Sequence, residues 1–209
     1  MKDYVALCKE HNYPYPFSAW HDGNFNYFYV YQADNYQAPI NIFKASNEML
    51  KKWGEEQAQK LEKAMRTSIS SYQDYFIEYL PKYSYIPENP RLKEEEISYA
   101  IWDIFNIPLD KEAEYFELVE KFMSLLKNKN ISETVYFYAG RLGTKRPFYF
   151  GLMFAKDVAD FWTTNEKMWE QLGNEGGELY QKFMKLFKKR EFRQFWYIKS
   201  LTYVPEKKK

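Results

Sequence analysis

The 209-residue sequence predicts an α+β chain built from two copies of one unit, and three observations carry that expectation. The stretch Asp74 to Pro87, DYFIEYLPKYSYIP, is echoed by Phe192 to Pro205, FRQFWYIKSLTYVP, and the shift from Pro87 to Pro205 is 118 residues. The same shift places Tyr4, Val5, Leu7 and Cys8 on Phe122, Met123, Leu125 and Leu126, Phe17 and Ala19 on Val135 and Phe137, and Asn47-Glu48 on Asn165-Glu166. In both halves, segments of period two alternate with segments whose apolar residues step by three and four, the marks of strands and helices. Only six of the 42 positions from Ser46 to Pro87 match their images, so the duplication rests on element order and a constant shift, not on identity.

In the first half, Tyr4, Leu7, Cys8 and His11 stand at helical spacing, and Pro14 and Pro16 end that helix. A strand over 17–21, a turn at Asp22-Gly23-Asn24 and a strand over 25–32 read as a hairpin, with Tyr27, Tyr29 and Tyr31 alternating with Phe28 and Val30. A loop through Pro39 leads to a helix over 46–70 carrying Met49, Leu50, Trp53, Leu61, Met65 and Ile69 on one broad face. The next strand, 75–85, contains Pro81, which lacks an N–H and so belongs at an edge or a bulge. Residues 89–96, within ENPRLKEEE, form the linker between units 1–88 and 97–209.

The second half runs strand 97–107, a helix opened by Pro108 and Asp110, strands 134–139 and 147–154 around Gly140 to Gly143, a helix from Asp157, and the last strand. Gly173, Gly176 and Gly177 interrupt that helix, each costing about 1 kcal/mol relative to alanine inside a helix. The tail PEKKK is expected to fray. The order β-α-β-β-α-β maps onto the first half except at its start, where the first unit lacks its first strand. That unit is therefore expected to recruit a strand from the chain itself or from a second copy, which makes a homodimer one expected partner arrangement.

With 20 Tyr, 17 Phe and 6 Trp the chain has ample material for a core, and its net charge of +1 supplies no general field for nucleic acid or an anionic membrane. No run approaches the roughly 20 apolar residues of a membrane helix, so the expected setting is cytoplasmic with no membrane partner. Cys8 is the single cysteine, which excludes an intrachain disulfide, and two histidines leave no metal constellation. No cofactor is called for: Gly140-x-x-Gly143 is too short for a dinucleotide or phosphate loop.

A doubled β-α-β-β-α-β unit with long aromatic strands resembles the dimeric α+β barrel superfamily, which includes antibiotic-biosynthesis monooxygenases, NIPSNAP-type proteins and haem-handling relatives. The resemblance covers 97–205 and, less completely, 3–87, and it rests on element order and strand character. It implies two ferredoxin-like units forming a pseudo-dimeric barrel, with a pocket between sheet and helices or inside the barrel. The superfamily's signature residues do not carry over: no histidine follows His21, and no Asn-Trp-His set is present.

Three residues are candidates for acid-base chemistry. Glu78 and Asp103 are carboxylates in mid-strand between apolar neighbours, where burial would raise their pKa; the alternative is a salt bridge, to Arg193 or Lys199, or an outward face. His21, beside Asp22 at the hairpin mouth, could act as acid or base, although a histidine beside a turn is more often simply solvated. His11, on the apolar face of the first helix, reads as a core or interface histidine. Tyr27 and Tyr29, with Tyr99, Trp102, Tyr138 and Trp196, could line a cavity for a flat apolar small molecule, or equally pack a two-sided sheet. Arg141, Lys145 and Arg146 form a basic hairpin tip, read as a solvated turn. The functional expectation is a protein binding a small aromatic or apolar ligand, oxygenase-like and independent of a cofactor; the alternative is a non-catalytic structural or interaction protein with an aromatic-filled core.

Overall fold

The computed structural model describes residues 1–205 and shows an α+β chain; the remainder of the tail expected to fray, 206–209, lies outside the described residues. It divides into two compact units, one of 1–72 with 197–209 and one of 73–196. The segment 73–88 falls in the second unit and the segment 197–205 in the first.

Unit 1 holds α1 (Lys2–Glu10), β1 (Phe17–His21), β2 (Tyr27–Tyr31), α2 (Ala38–Trp53) and α3 (Glu55–Ser68). Strands β1 and β2 pair antiparallel, Phe17 opposite Tyr31 and His21 opposite Tyr27. Its core is Val5, Leu7 and Cys8 from α1, Met49 from α2, and Tyr13, Phe17 and Tyr203. Burial raises the Cys8 thiol to about 11, so it is an inert core group at neutral pH. Pro39 does not end a loop but sits in the first turn of α2, where its missing N–H leaves no partner unsatisfied. Gly54, at φ +107°, separates α2 from α3 in place of one continuous helix. None of the α3 residues is buried, so Leu61 and Met65 are not core; exposed i,i+4 pairs such as Glu56–Lys60 and Glu62–Arg66 line the helix instead.

Unit 2 holds β3 (Ile77–Tyr79), β4 (Tyr99–Asn106), α4 (Glu112–Asn128), β5 (Tyr136–Gly140), β6 (Tyr149–Ala155), α5 (Val158–Met184) and most of β7 (Lys189–Tyr197). Its strands are antiparallel in the order β7-β4-β6-β5-β3. Helix α5 starts at Asp157, whose carboxylate accepts from the Asp160 amide at 2.8 Å, and runs through Gly176 and Gly177; only Gly173, at φ +56°, leaves helical geometry. The core between helices and sheet is built by Tyr115, Leu118, Val119, Met123 and Leu126 of α4, Met168 and Leu172 of α5, and Val135, Phe137, Ala139 and Tyr149.

The two echoed stretches are strand, 3-10 turn and bridge in the same places. In unit 2, Leu80 donates to the Phe137 carbonyl, Tyr85 exchanges hydrogen bonds with Val135, and the Ser84 hydroxyl accepts from the Phe137 amide. In unit 1, at a distance of 118 residues, Ile198 donates to Ala19, Tyr203 exchanges with Phe17, and the Thr202 hydroxyl accepts from the Ala19 amide. Each stretch therefore lies along the first strand of the other half's hairpin. Strand β3 is three residues long instead of the expected eleven because Pro81 opens the 3-10 turn, which breaks the ladder.

Two devices hold 73–96 in unit 2. Phe76 donates to Leu142 and Arg141 to Phe76, an approach so close that a Cβ on Gly143 would stand 2.1 Å from the Asp74 carbonyl oxygen. Arg91 binds Glu133 at 2.6 Å and Asp160 at 3.0 Å, which turns the expected linker into a fixed segment. Among the described residues no helix is long and apolar enough to cross a membrane.

Candidate functional site

Strand parity decides which residues of unit 2 can share a site, because successive side chains leave a sheet on opposite faces. On β4, Tyr99, Ile101, Asp103 and Phe105 share a face with Gly151 and Tyr149 of β6, Phe137 and Ala139 of β5, and Arg190, Phe192 and Trp196 of β7. That face meets α4 and α5, since Phe105, Phe137, Ala139 and Tyr149 belong to the core built with those helices. The other face carries Trp102, Ile104, Phe150, Tyr138, Tyr79 and Phe195.

Asp103 lies on the helix-side face, directly opposite Gly151 and Phe192. Arg190, also on that face, grips its carboxylate with both arms, Nε to Oδ1 at 2.8 Å and Nη2 to Oδ2 at 2.6 Å, and gives its third nitrogen to the Tyr180 hydroxyl at 3.0 Å. The guanidinium carbon stands 4.6 Å from the ring centre of Phe192, 5.4 Å from that of Tyr180 and 5.7 Å from that of Phe105, a cation held among three aromatic rings. The side chains of Arg190 and Asp103 are only 23% and 21% exposed. Burial pushes the Asp103 carboxyl upward and Arg190 pulls it back, with a net upward displacement; Asp103 in turn holds the guanidinium above its ordinary value against burial.

Tyr115 of α4 completes the group. Its side chain is fully buried among Phe105, Phe116, Phe137, Tyr149 and Phe183, and among the described residues its hydroxyl has no hydrogen-bond partner. Burial, then the charge of Asp103, hold that hydroxyl protonated far above neutral pH. A buried, unpaired hydroxyl costs roughly 1–3 kcal/mol, and few survive in a fold without a reason. Tyr149 beside it bonds the Glu112 carboxylate. Gly151, opposite Asp103, leaves room: a Cβ built there would meet only a Val135 methyl, at 4.0 Å.

The remaining candidates separate. Glu78 is on the short edge strand β3, half exposed and paired with Arg141 at 2.5 Å, so the basic hairpin tip and this carboxylate satisfy each other. The ion-pair alternative thus holds for both carboxylates, with Arg141 and Arg190 as partners in place of Arg193 and Lys199. Tyr99 and Trp196 pack edge to face at 5.6 Å on the helix-side face, with the buried Tyr99 hydroxyl bonded to Gln194 at 2.7 Å; they are core, and do not join Trp102 and Tyr138. Those two flank Phe150, with ring centres 4.4 and 5.2 Å from its own, on the opposite face, and burial raises the Tyr138 hydroxyl to about 12. In unit 1, Tyr29 packs on Phe17 against the core, while Tyr27 is exposed. His21 accepts the Gly23 amide at Nδ1, and Asp22 accepts the amides of Asn24 and Asn26 and the Asn26 side chain, which holds the turn. Among the described residues no group of three or more His, Cys, Asp or Glu side chains could hold a metal ion.

No protein-family model matches the sequence, and no curated protein does. Among solved structures, a candidate monooxygenase of Fusobacterium nucleatum aligns with a TM-score of 0.57 at 12% identity, over 99% of this chain and 88% of its own. What the chain shares with it is the fold. A candidate monooxygenase of Lactobacillus acidophilus aligns at TM-score 0.50 and 6% identity, over 97% of this chain and 87% of its own, and an anthrone oxidase-like protein at 0.49 and 9%, over 94% and 83%.

Arg190, Tyr115 and Gly151 were not singled out in the sequence. Arg190 carries a signal, a basic residue in a strand that pairs with the Asp103 strand, but only the register shows which arginine reaches the carboxylate.

Proposed function

We propose that unit 2 binds a small planar aromatic molecule carrying a hydroxyl or keto oxygen on the helix-side face of its sheet, in front of Gly151. The observation that carries this reading is the buried Tyr115 hydroxyl, without a hydrogen-bond partner among the described residues and within reach of the charge of Asp103, whose neighbour across the sheet, Gly151, carries no side chain. Tyr115 donates to the ligand oxygen, Phe137 and Phe105 supply flat apolar surface, and Arg190 holds the negative charge that forms when the ligand loses a proton. Asp103, its carboxyl displaced upward by burial, is the proton acceptor.

The likeness of fold to candidate monooxygenases supports an oxygenase-like reaction, and membership of the dimeric α+β barrel group with it. In such a step the deprotonated phenol reduces dioxygen: one oxygen atom joins the ring carbon beside the hydroxyl, the other leaves as water with that carbon's hydrogen and the hydroxyl's, and the four electrons come from the substrate, which becomes a quinone. Trp102 and Tyr138 take no part at this position, because the sheet lies between them and Asp103.

The test is titration with 2-naphthol, followed by tryptophan fluorescence and calorimetry, with oxygen uptake recorded in parallel. Tyr115→Phe should weaken binding by roughly fivefold to thirtyfold, the worth of one buried hydrogen bond, and Gly151→Val should abolish it by filling the space. Binding that survives Gly151→Val would refute the site. The five rings packed around Tyr115 favour a second reading, a non-catalytic protein whose aromatic interior is only core; it predicts no binding of 2-naphthol or related planar phenols and no oxygen uptake.

A further inference from the structure

We propose that the chain self-associates through the outer edge of β2, two copies pairing antiparallel about a twofold axis at Tyr29. The backbone geometry of unit 1 fixes which groups are on offer. Phe17 of β1 exchanges backbone hydrogen bonds with Tyr203, and Ala19 accepts from the Ile198 amide and donates its own amide to the Thr202 hydroxyl. Ser18 and Trp20 therefore bond across to Val30 and Phe28 of β2, the residues opposite them. That alternation turns the N–H and C=O groups of Tyr27, Tyr29 and Tyr31 outward, and among the described residues no strand pairs with them.

In unit 2 the corresponding edge is filled. Strand β6 is, like β2, the second strand of its hairpin, and it is paired on both sides, with β5 and with β4. Unit 1 has no counterpart of β4 among the described residues. In unit 2 the edge strand beside β5, β3, is three residues long, carries the Glu78–Arg141 ion pair and stops at Pro81, the usual devices that blunt an edge. Strand β2 has none of them. From Gly23 to Ala33 the sequence is GNFNYFYVYQA, without a charge or a proline, and Tyr27 and Val30 are 57% and 49% exposed.

A second copy suits this edge for two reasons. Antiparallel pairing about Tyr29 sets Tyr27 opposite Tyr31 of the other copy, so every outward donor meets an outward acceptor and tyrosines meet tyrosines across the seam. No like charges oppose one another along the strand, and a net charge of +1 gives little general repulsion between copies.

Light scattering on the full chain after size exclusion tests this. The wild type should show about twice the 25.4 kDa of one chain, and Val30→Lys and Tyr27→Lys, each placing a charge at the edge, should raise the dimer dissociation constant by at least about tenfold while keeping the wild-type circular dichroism. Hydrogen exchange gives a second readout: the amides of Tyr27, Tyr29 and Tyr31 should be protected in concentrated protein and lose protection on dilution. A wild-type monomer, a dimer unaffected by both lysines, or protection independent of concentration would overturn the proposal; the last would show that another segment covers the edge.

Discussion

Removing one side of the Asp103–Arg190 pair should cost far more stability than removing both. The two side chains are about four-fifths buried, and Arg190 holds both carboxylate oxygens, so Asp103→Asn leaves a guanidinium among Phe105, Phe192 and Tyr180 without its counter-charge. Breaking a buried pair typically costs about 3–5 kcal/mol, and the residual exposure places this one near 3. At roughly 2–4 °C per kcal/mol for a chain of this length, the melting temperature should fall by about 6–12 °C. The double variant Asp103→Leu with Arg190→Met removes both charges and keeps apolar volume, and such replacements are often neutral or stabilising by about 1–4 kcal/mol. Urea titration of wild type, both single variants and the double variant gives the coupling directly. The expected pattern is two destabilised singles and a double close to wild type that no longer binds 2-naphthol. A double variant as unstable as either single would show that the pair is retained for stability, and would remove the reason for reading it as a site.

Other outcomes follow from single contacts. Arg91→Ala should destabilise unit 2 by about 3 kcal/mol by stranding Glu133, 7% exposed, beside Asp160, and Arg91→Lys should recover little because one ammonium cannot fork to two carboxylates; thermal melts of the three proteins check this. The Asp160 carboxyl, pushed up by burial but more strongly lowered by the Lys156 amide and Arg91, contributes stability that is present above its unfolded pKa and lost as pH falls through the lower folded value. The acid limb of a stability-against-pH curve should therefore flatten in Arg91→Ala. Gly143→Ala should lower the urea midpoint, since its Cβ would stand 2.1 Å from the Asp74 carbonyl oxygen at φ +81°, whereas Gly177→Ala, with open space around it in α5, should raise stability by about 0.5–1 kcal/mol.

The sequence by itself determined the α+β class and most of the order of strands and helices, because those depend on local periodicity and turn chemistry. Tyr99 and Trp102 are three residues apart on one strand, so alternation alone puts them on opposite faces and splits the aromatic set. Tertiary structure decided which strands are neighbours. Nothing local to 77–85 says that it pairs with Val135 and Phe137 instead of the hairpin at 17–31, since any strand edge accepts any other and the choice lies in long-range packing. It decided likewise that Asp103 meets Arg190 and not Arg193, a matter of register, and that Leu61 and Met65 are left out of the core although their spacing is that of a packed helix. Spacing shows which residues share a helix face, and only the folded chain shows whether another layer lies against it.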